Sequence, residues 1–356
     1  MQPLRASSLA RYLFGAYVLL VIYASLHPFS GWQVQGPTPF AFLTAPFPRA
    51  ITRFDVVTNV LGYVPLGFLA LLAVQPRLGG RRALAFGIGC SILLSFVLES
   101  LQSYLPSRTA SNVDLLANAA GGTLGALLAM PAAPRLLADG GLKALRYRLI
   151  AAGAEFDLGL VLIALWLLAQ LSPETLLFGT GDLRELFQPP PGKLYPAELF
   201  VRVEAGVAAA NTIAVGLFVS CLTAARQPAR LLFGALLGAA LALRWIAFDV
   251  LMRDMLWITS GAVAGLAAGV LVVLAGVSLP RTARLAVAGL ALMGATALVN
   301  LAPGNPYLAA SLALWQRGAY FNFNGLTHVV SVTWPFAAMF YLVVLAAERG
   351  RDRGTI

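Results

Sequence analysis

The sequence predicts an all-α fold, a polytopic transmembrane bundle of about ten helices. Hydrophobic residues make up 59% of the 356 residues, whereas charged residues make up only 11%. Because soluble domains carry about 25% charged residues, these charges are too few to cover the surface of a water-soluble globule. The mean hydropathy of +0.79 agrees, and lipid is therefore the predicted solvent for most of the chain.

Ten stretches approach the length of about 20 mainly apolar residues that a helix needs to cross a bilayer. They lie near residues 10–26, 55–74, 83–103, 113–131, 149–171, 199–222, 231–250, 256–276, 285–302 and 326–347. The first is interpreted as an uncleaved span, because its apolar run is long and no clear small-residue cleavage site follows it.

The linkers between these stretches alternate in character, and this alternation predicts the orientation. One set is short and basic, as in QPRLGGRR, TAARQPAR, SLPRTAR and the tail ERGRDRGTI. The other set is longer and rich in proline, glycine and aromatic residues, as in HPFSGWQVQGPTPFAFLTAPFPR. Since basic loops stay in the cytoplasm, both termini are predicted to be cytoplasmic and the aromatic loops to face outward.

Two stretches of the chain, Asp114–Gly125 and Asp254–Gly265, share a spacing. Each begins with an aspartate and has glycines seven and eleven residues later. Upstream of them, LESLQ resembles FDVLM, which pairs Glu99 with Asp249. This pattern predicts a degenerate four-span repeat of the parallel kind, because four spans return the chain to the same side.

The repeat predicts three parts of the chain. Residues 1–131 would form a first four-helix membrane unit, and residues 132–280 a second, diverged four-helix unit. Residues 281–356 would add two further transmembrane helices and a basic cytoplasmic tail. The helix-packing candidates are Pro65, Gly67, Gly121, Gly125, Gly261 and Gly265.

Six polar side chains are predicted to lie at one depth, near the outer ends of three neighbouring spans. They are Asp55, Asn59, Glu99, Gln102, Asp114 and Asn118, and Arg108 lies in the loop between the third and fourth spans. The six polar residues taken as ligand-binding candidates are Asn59, Glu99, Gln102, Arg108, Asp114 and Asn118. Helical spacings of three or four residues place Glu99 with Gln102, and Asp114 with Asn118, on common faces. Placing an ionisable group at membrane depth costs a few kcal/mol of insertion free energy. These groups are therefore expected to pair with one another or to take part in the protein's function.

Two interpretations of this cluster stay open at the level of sequence. In the first, the cluster is structural: Arg108 bridges Glu99 and Asp114 through its two-pronged guanidinium, and Asp114 also caps the fourth span. In the second, it is a pocket at the outer leaflet. There Arg108 binds an anionic group, and Glu99 or Asp114 carries a proton.

The same residues carry a family resemblance. They are Asn59, Pro65 and Gly67 in TNVLGYVPLGF, Glu99 and Gln102 in LESLQ, and Arg108, Asp114, Asn118, Gly121 and Gly125 in SRTASNVDLLANAAGGTLG. Over about residues 10–131 the chain resembles the VanZ-like family of bacterial integral membrane proteins. The resemblance implies a cell-envelope protein of the bacterial inner membrane, since the founding member is associated with resistance to teicoplanin, a glycopeptide antibiotic.

Three functions are carried forward. The first is binding or handling of an amphiphilic envelope molecule, a lipid, a lipid-linked glycan or a lipophilic antibiotic, by the six polar residues. The second is a membrane-embedded transferase or hydrolase in which the catalytic candidates Glu99 and Asp114 act as acid and base. The third is a non-catalytic assembly factor whose polar cluster is structural.

Other chemistries find little support in the chain. The net charge of +10 is attributed to arginines that flank spans rather than to nucleic-acid binding. No phosphate loop, HExxH or CxxC motif occurs, so no metal and no cofactor are expected. Arg244 lies about one turn from Asp249, and we expect an ion pair there.

Overall fold

The computed structural model describes most of the chain as helix. The described residues are 7–34, 36, 38–47, 52–75, 77–137, 141–172, 174–184, 195–223, 226–248, 257–305 and 321–353. They form eleven α-helices and no strand, which confirms the predicted all-α bundle. The chain divides into two compact units, Met1–Tyr147 and Arg148–Ile356, while the three-part division at residues 131 and 280 stays a prediction.

Four long helices build the first unit. They are α1 (Ser8–Leu26), α2 (Arg53–Val74), α3 (Gly80–Gln102) and α4 (Asn112–Leu137), and the shorter α5 (Gly141–Leu149) follows. The side-chain hydroxyls of Ser7 and Thr52 accept hydrogen bonds from backbone amides in the first turns of α1 and α2. Apolar clusters between α2, α3 and α4 fill the core, with Leu71 and Ala126 fully buried.

Six helices build the second unit. They are α6 (Ala154–Ala169), α7 (Ala197–Leu222), α8 (Arg226–Ile246), α9 (Ser260–Gly276), α10 (Arg281–Leu301) and α11 (Phe321–Arg353). Each of the ten predicted spans overlaps a helix of one of the two units. In the described part of the chain, eight helices are long and apolar enough to cross a membrane, and α9 is a shorter apolar helix.

Glycines let α4 lie directly against α2. A Cβ atom added to Gly121 would lie 2.2 Å from the carbonyl oxygen of Val60, and one added to Gly125 would lie 1.9 Å from that of Val64. No side chain fits in such a gap, so the backbones themselves are in contact, as small residues allow between membrane helices.

The second unit contains the same contact. A Cβ atom added to Gly261 would lie 2.3 Å from the oxygen of Val201, and one added to Gly265 would lie 2.1 Å from that of Ala205. In both units two glycines four residues apart meet two carbonyls four residues apart. This geometry pairs α9 with α4 and α7 with α2, and it favours the predicted repeat. Asp249 and Asp254, which the repeat also uses, lie outside the described residues.

Gly125→Ala tests the α2–α4 contact. We expect the added methyl group to destabilise the protein by about 1–3 kcal/mol, because it overlaps the backbone of Val64. The measurement is the midpoint of thermal unfolding in detergent. The control is Gly89→Ala on α3, where a Cβ atom has nothing within 4 Å. Equal midpoints for the two variants would contradict the contact.

Candidate functional site

Three helices bring polar side chains to matched depths in the first unit. Four residues of α-helix advance about 6 Å along the axis, and α3 runs opposite to α2 and α4. Steps of four residues therefore define three layers, counted inward from the end where α3 stops. The upper tier is Asn59, Glu99 and Asp114; the middle tier is Tyr63, Ser95 and Asn118; the floor is Gly67, Ser91 and Gly122.

The upper tier contains two neighbouring carboxylates. The Asn59 side-chain amide donates to Asp114 Oδ1 at 2.8 Å, and the backbone amide of Ser111 donates to Glu99 Oε2 at 2.8 Å. Both donors are neutral. Glu99 is only 4% exposed and interacts electrostatically with Asp114, so the upper tier is an acidic pair held by amides.

Ser111 shapes the start of α4. Its hydroxyl oxygen accepts from the amides of Val113 at 3.2 Å and Asp114 at 3.4 Å, which is the usual geometry of a helix N-cap. The cap expected from Asp114 is therefore made by Ser111, which leaves the Asp114 carboxylate turned toward Asn59. The same residue thus caps α4 and supplies the amide that holds Glu99.

Arg108 binds the end of α1. Its guanidinium donates to the carbonyl oxygen of His27 at 2.7 and 3.1 Å and to that of Ala24 at 3.1 Å. Cations are favourable at a helix C-terminus, where carbonyls are left without helical partners. Burial lowers the pKa of Arg108, but arginine stays charged at neutral pH. These bonds differ from the expected bridge between Glu99 and Asp114.

Gln102 contacts the same end of α1. Its side-chain amide donates to the carbonyl oxygen of Ser25 at 2.8 Å. Two of the six candidates, Gln102 and Arg108, thus hold the C-terminus of α1. The other four lie in the upper and middle tiers, and the role of all six as ligand-binding residues stays a prediction.

The middle tier is a buried hydrogen-bonded group. The Asn118 amide nitrogen donates to Ser95 Oγ at 3.0 Å, and the Tyr63 hydroxyl interacts with Ser95 and with the charge of Glu99. Ser95 is fully buried, and Tyr63 and Asn118 are 6% and 5% exposed. Among the described residues, Asn118 Oδ1 has no hydrogen-bond partner.

Sequence reasoning missed two members of this tier, Tyr63 and Ser95. Serine and tyrosine are unremarkable in apolar helices, so neither stands out by type. Their signal was positional: Tyr63 lies four residues inward from Asn59, and Ser95 lies four residues inward from Glu99.

The floor closes the polar region. A Cβ atom on Gly67 would lie 1.9 Å from the carbonyl oxygen of Gly122, and one on Gly122 would lie 2.2 Å from Ser91 Cβ. The Ser91 hydroxyl donates to its own helix, to the oxygen of Gly87 at 2.9 Å. Close contact between these three residues thus fills the layer below Asn118.

The second unit also has a buried arginine at the end of its first helix. Arg244 on α8 is fully buried and donates to the carbonyl oxygen of Ser172 at 2.7 Å and to the hydroxyl and carbonyl oxygens of Thr175. These acceptors follow α6. The ion pair expected with Asp249 falls on a residue outside the described ones.

A carboxylate of the second unit, Glu204, lines a cavity of about 30 Å³ with Phe248 and Trp257. Its Oε2 accepts from the Thr259 hydroxyl at 2.6 Å. A cavity of this size holds about one water molecule. Within the described ranges, no group of three or more His, Cys, Asp or Glu side chains could hold a metal ion.

Comparison with known proteins supports one assignment. The VanZ/LLP1 family model matches residues 10–136. This region includes nearly all of α1 to α4, and all three tiers lie within it. A search of curated proteins and a search of solved structures found no match. The resemblance seen in the polar motif is thereby confirmed over residues 10–136, which are similar to the VanZ/LLP1 family, and the apolar helices of the described residues are those of a multi-pass membrane protein.

Proposed function

We propose that the VanZ-like domain binds an amphiphilic envelope molecule through donor groups of its head group. One observation carries this proposal: Glu99 and Asp114 lie together at one end of a membrane bundle and are held by neutral amides. Each carboxylate oxygen accepts more than one hydrogen bond. The pair therefore keeps acceptor capacity for hydroxyl or ammonium groups of a ligand.

The geometry changes the role expected of Arg108. In the ligand hypothesis drawn from the sequence, Arg108 binds an anionic group of the ligand. Its bonds to Ala24 and His27 instead support α1, and the upper tier itself is acidic. An acidic site selects donors over phosphates and carboxylates, because like charges repel each other strongly at low dielectric.

The location we propose is the inner membrane, with the crevice open toward the outer leaflet. The basic linkers support this orientation, since they mark the cytoplasmic side. The resemblance to a family associated with teicoplanin resistance supports a place at the cell envelope. The ligand classes then remain those named from the sequence: a lipid, a lipid-linked glycan or a lipophilic glycopeptide.

A second candidate is acid–base catalysis on the same ligand. Glu99 and Asp114 interact electrostatically, and two coupled carboxylates share protons as a pair. Such a pair has the composition of a general acid and base. The assembly-factor alternative is supported by Gln102 and Arg108, whose bonds to α1 are structural.

Glu99→Gln and Asp114→Asn test the binding site. Each substitution removes the negative charge and keeps the shape, so we expect a folded protein that retains about tenfold less envelope lipid, the effect of one charge-assisted hydrogen bond. The measurement is native mass spectrometry of lipid that co-purifies with the full chain. Glu198→Gln, an exposed acid in the first turn of α7, is the matched control.

Unchanged lipid retention in both variants would contradict the binding proposal. If the envelope phenotype is unchanged as well, the assembly role is the one that remains. Retention that is unchanged or increased, together with loss of an envelope phenotype in cells, would favour catalysis over binding. A drop that Glu198→Gln reproduces would show that the loss is not specific to the upper tier.

Arg108→Ala tests whether this residue supports the fold or binds the ligand. We expect a loss of about 1–2 kcal/mol of stability, because partly buried carbonyls at the end of α1 lose charged donors. Thermal midpoints in detergent give the stability, and lipid is counted per folded molecule. Arg77→Ala, at an exposed position, is the control. Full stability with lost lipid retention would restore Arg108 as a ligand-binding residue.

A further inference from the structure

The middle tier contains a polar atom that the protein leaves unsatisfied. Asn118 Oδ1 is buried with no hydrogen-bond partner among the described residues, although the nitrogen of the same amide is bonded to Ser95. Leaving a buried acceptor unpaired costs about 1–3 kcal/mol. The two ends of an amide are hard to tell apart, but in either orientation one end of Asn118 lacks a protein partner.

The position of this atom relative to the upper tier is fixed by the helices. Asn118 lies one turn inward from Asp114 on α4, and Ser95 lies one turn inward from Glu99 on α3. Tyr63 links the layers, since it interacts with Ser95 and with the charge of Glu99. A group bound by the carboxylates is thus about 6 Å from the unsatisfied amide.

The floor prevents any deeper binding. Gly67, Gly122 and Ser91 are in close contact, so the layer below the middle tier is filled. Whatever satisfies Asn118 must approach from the upper tier or from within the middle tier itself.

We propose that the middle tier is an inner subsite that takes a sugar hydroxyl of a lipid head group, so that the ligand of this domain is a glycolipid. The inference rests on the proposed function, because the upper tier must admit the head group first. A hydroxyl both donates and accepts, so it satisfies Asn118 in either orientation of the amide. An ammonium group only donates and would suit the carboxylates alone.

The head group that fits both tiers has several hydroxyls within reach of one another. A sugar ring presents neighbouring hydroxyls that can bridge Glu99, Asp114 and Asn118 together. A phosphate head group presents acceptors to an acidic pair, and a choline head group presents no hydroxyl. The two tiers therefore favour a head group with several hydroxyls, such as that of a glycosylated lipid, over phosphatidylcholine and phosphatidylethanolamine.

The test uses the full chain in phosphatidylcholine nanodiscs that contain diglucosyl diacylglycerol and phosphatidylethanolamine as minor components. Native mass spectrometry counts each lipid that the protein retains. We expect wild type to retain the glucosylated lipid preferentially, and Asn118→Leu to reduce this retention about tenfold, the effect of one lost hydrogen bond in a buried site.

Asn211→Leu is the matched control. Asn211 on α7 is also fully buried, but both ends of its amide have partners, Val207 O at 3.0 Å and the Thr180 hydroxyl at 3.4 Å. Its replacement should leave retention per folded molecule unchanged. Tyr63→Phe is the second variant and keeps the ring in place. It should lower retention of the glucosylated lipid even if Asn118→Leu does not fold.

Four results would overturn the inference. Unchanged retention in Asn118→Leu and Tyr63→Phe would mean that the middle tier holds only water. Preferential retention of phosphatidylethanolamine with the same dependence on Asn118 would mean that an ammonium group binds there. Loss in Glu99→Gln but not in the middle-tier variants would leave the proposed function intact and remove the subsite. No loss in any of these variants would remove both.

Discussion

The backbone contact between α2 and α4 is the constraint on which the first unit depends. Gly121 and Gly125 bring the carbonyls of Val60 and Val64 within reach of α4, and that approach places Asn59 beside Asp114. Without it, the polar faces of the helices would be separated by side chains, and each amide and carboxylate would lie in lipid. The close packing therefore comes first, and the polar contacts follow from it. In membranes, where apolar burial gives little drive for helix association, such packing and hydrogen bonds are what hold helices together.

The polar residues of the first unit divide into two groups with different tasks. Arg108 and Gln102 satisfy carbonyls at the C-terminus of α1, where a helix leaves acceptors without partners. Arg244 does the same for the segment that follows α6 in the second unit. An arginine that donates to carbonyls at or just beyond the end of the first long helix is thus common to both units. Glu99, Asp114 and Asn118 are left as a separate, acceptor-rich group. This division explains how one short stretch of sequence can serve both the fold and a site.

Apolar runs and charge content were sufficient to predict the fold, because lipid restricts a chain to helices whose length the bilayer sets. The spacing of Glu99, Asp114 and Asn118 was sufficient to place the polar group at one end of the bundle. The partner of Arg108 was not predictable, since a backbone carbonyl such as that of His27 has no sequence signature. Tyr63 and Ser95 were missed for a different reason. Their importance depends on which face of each helix is buried, and only the packing of α2 against α4 decides that.

The three tiers change in polarity over about two helical turns. The upper tier has two carboxyl groups, the middle tier is neutral and polar, and the floor is two glycines packed against each other and against Ser91. A cluster that only held helices together would gain most by pairing every buried atom, since one unpaired acceptor costs about as much as a good hydrogen bond contributes. The middle tier does not do this, because Asn118 Oδ1 has no partner in the described part of the chain. An unpaired atom beneath an acidic pair is better explained by a site that a ligand completes than by a structural cluster.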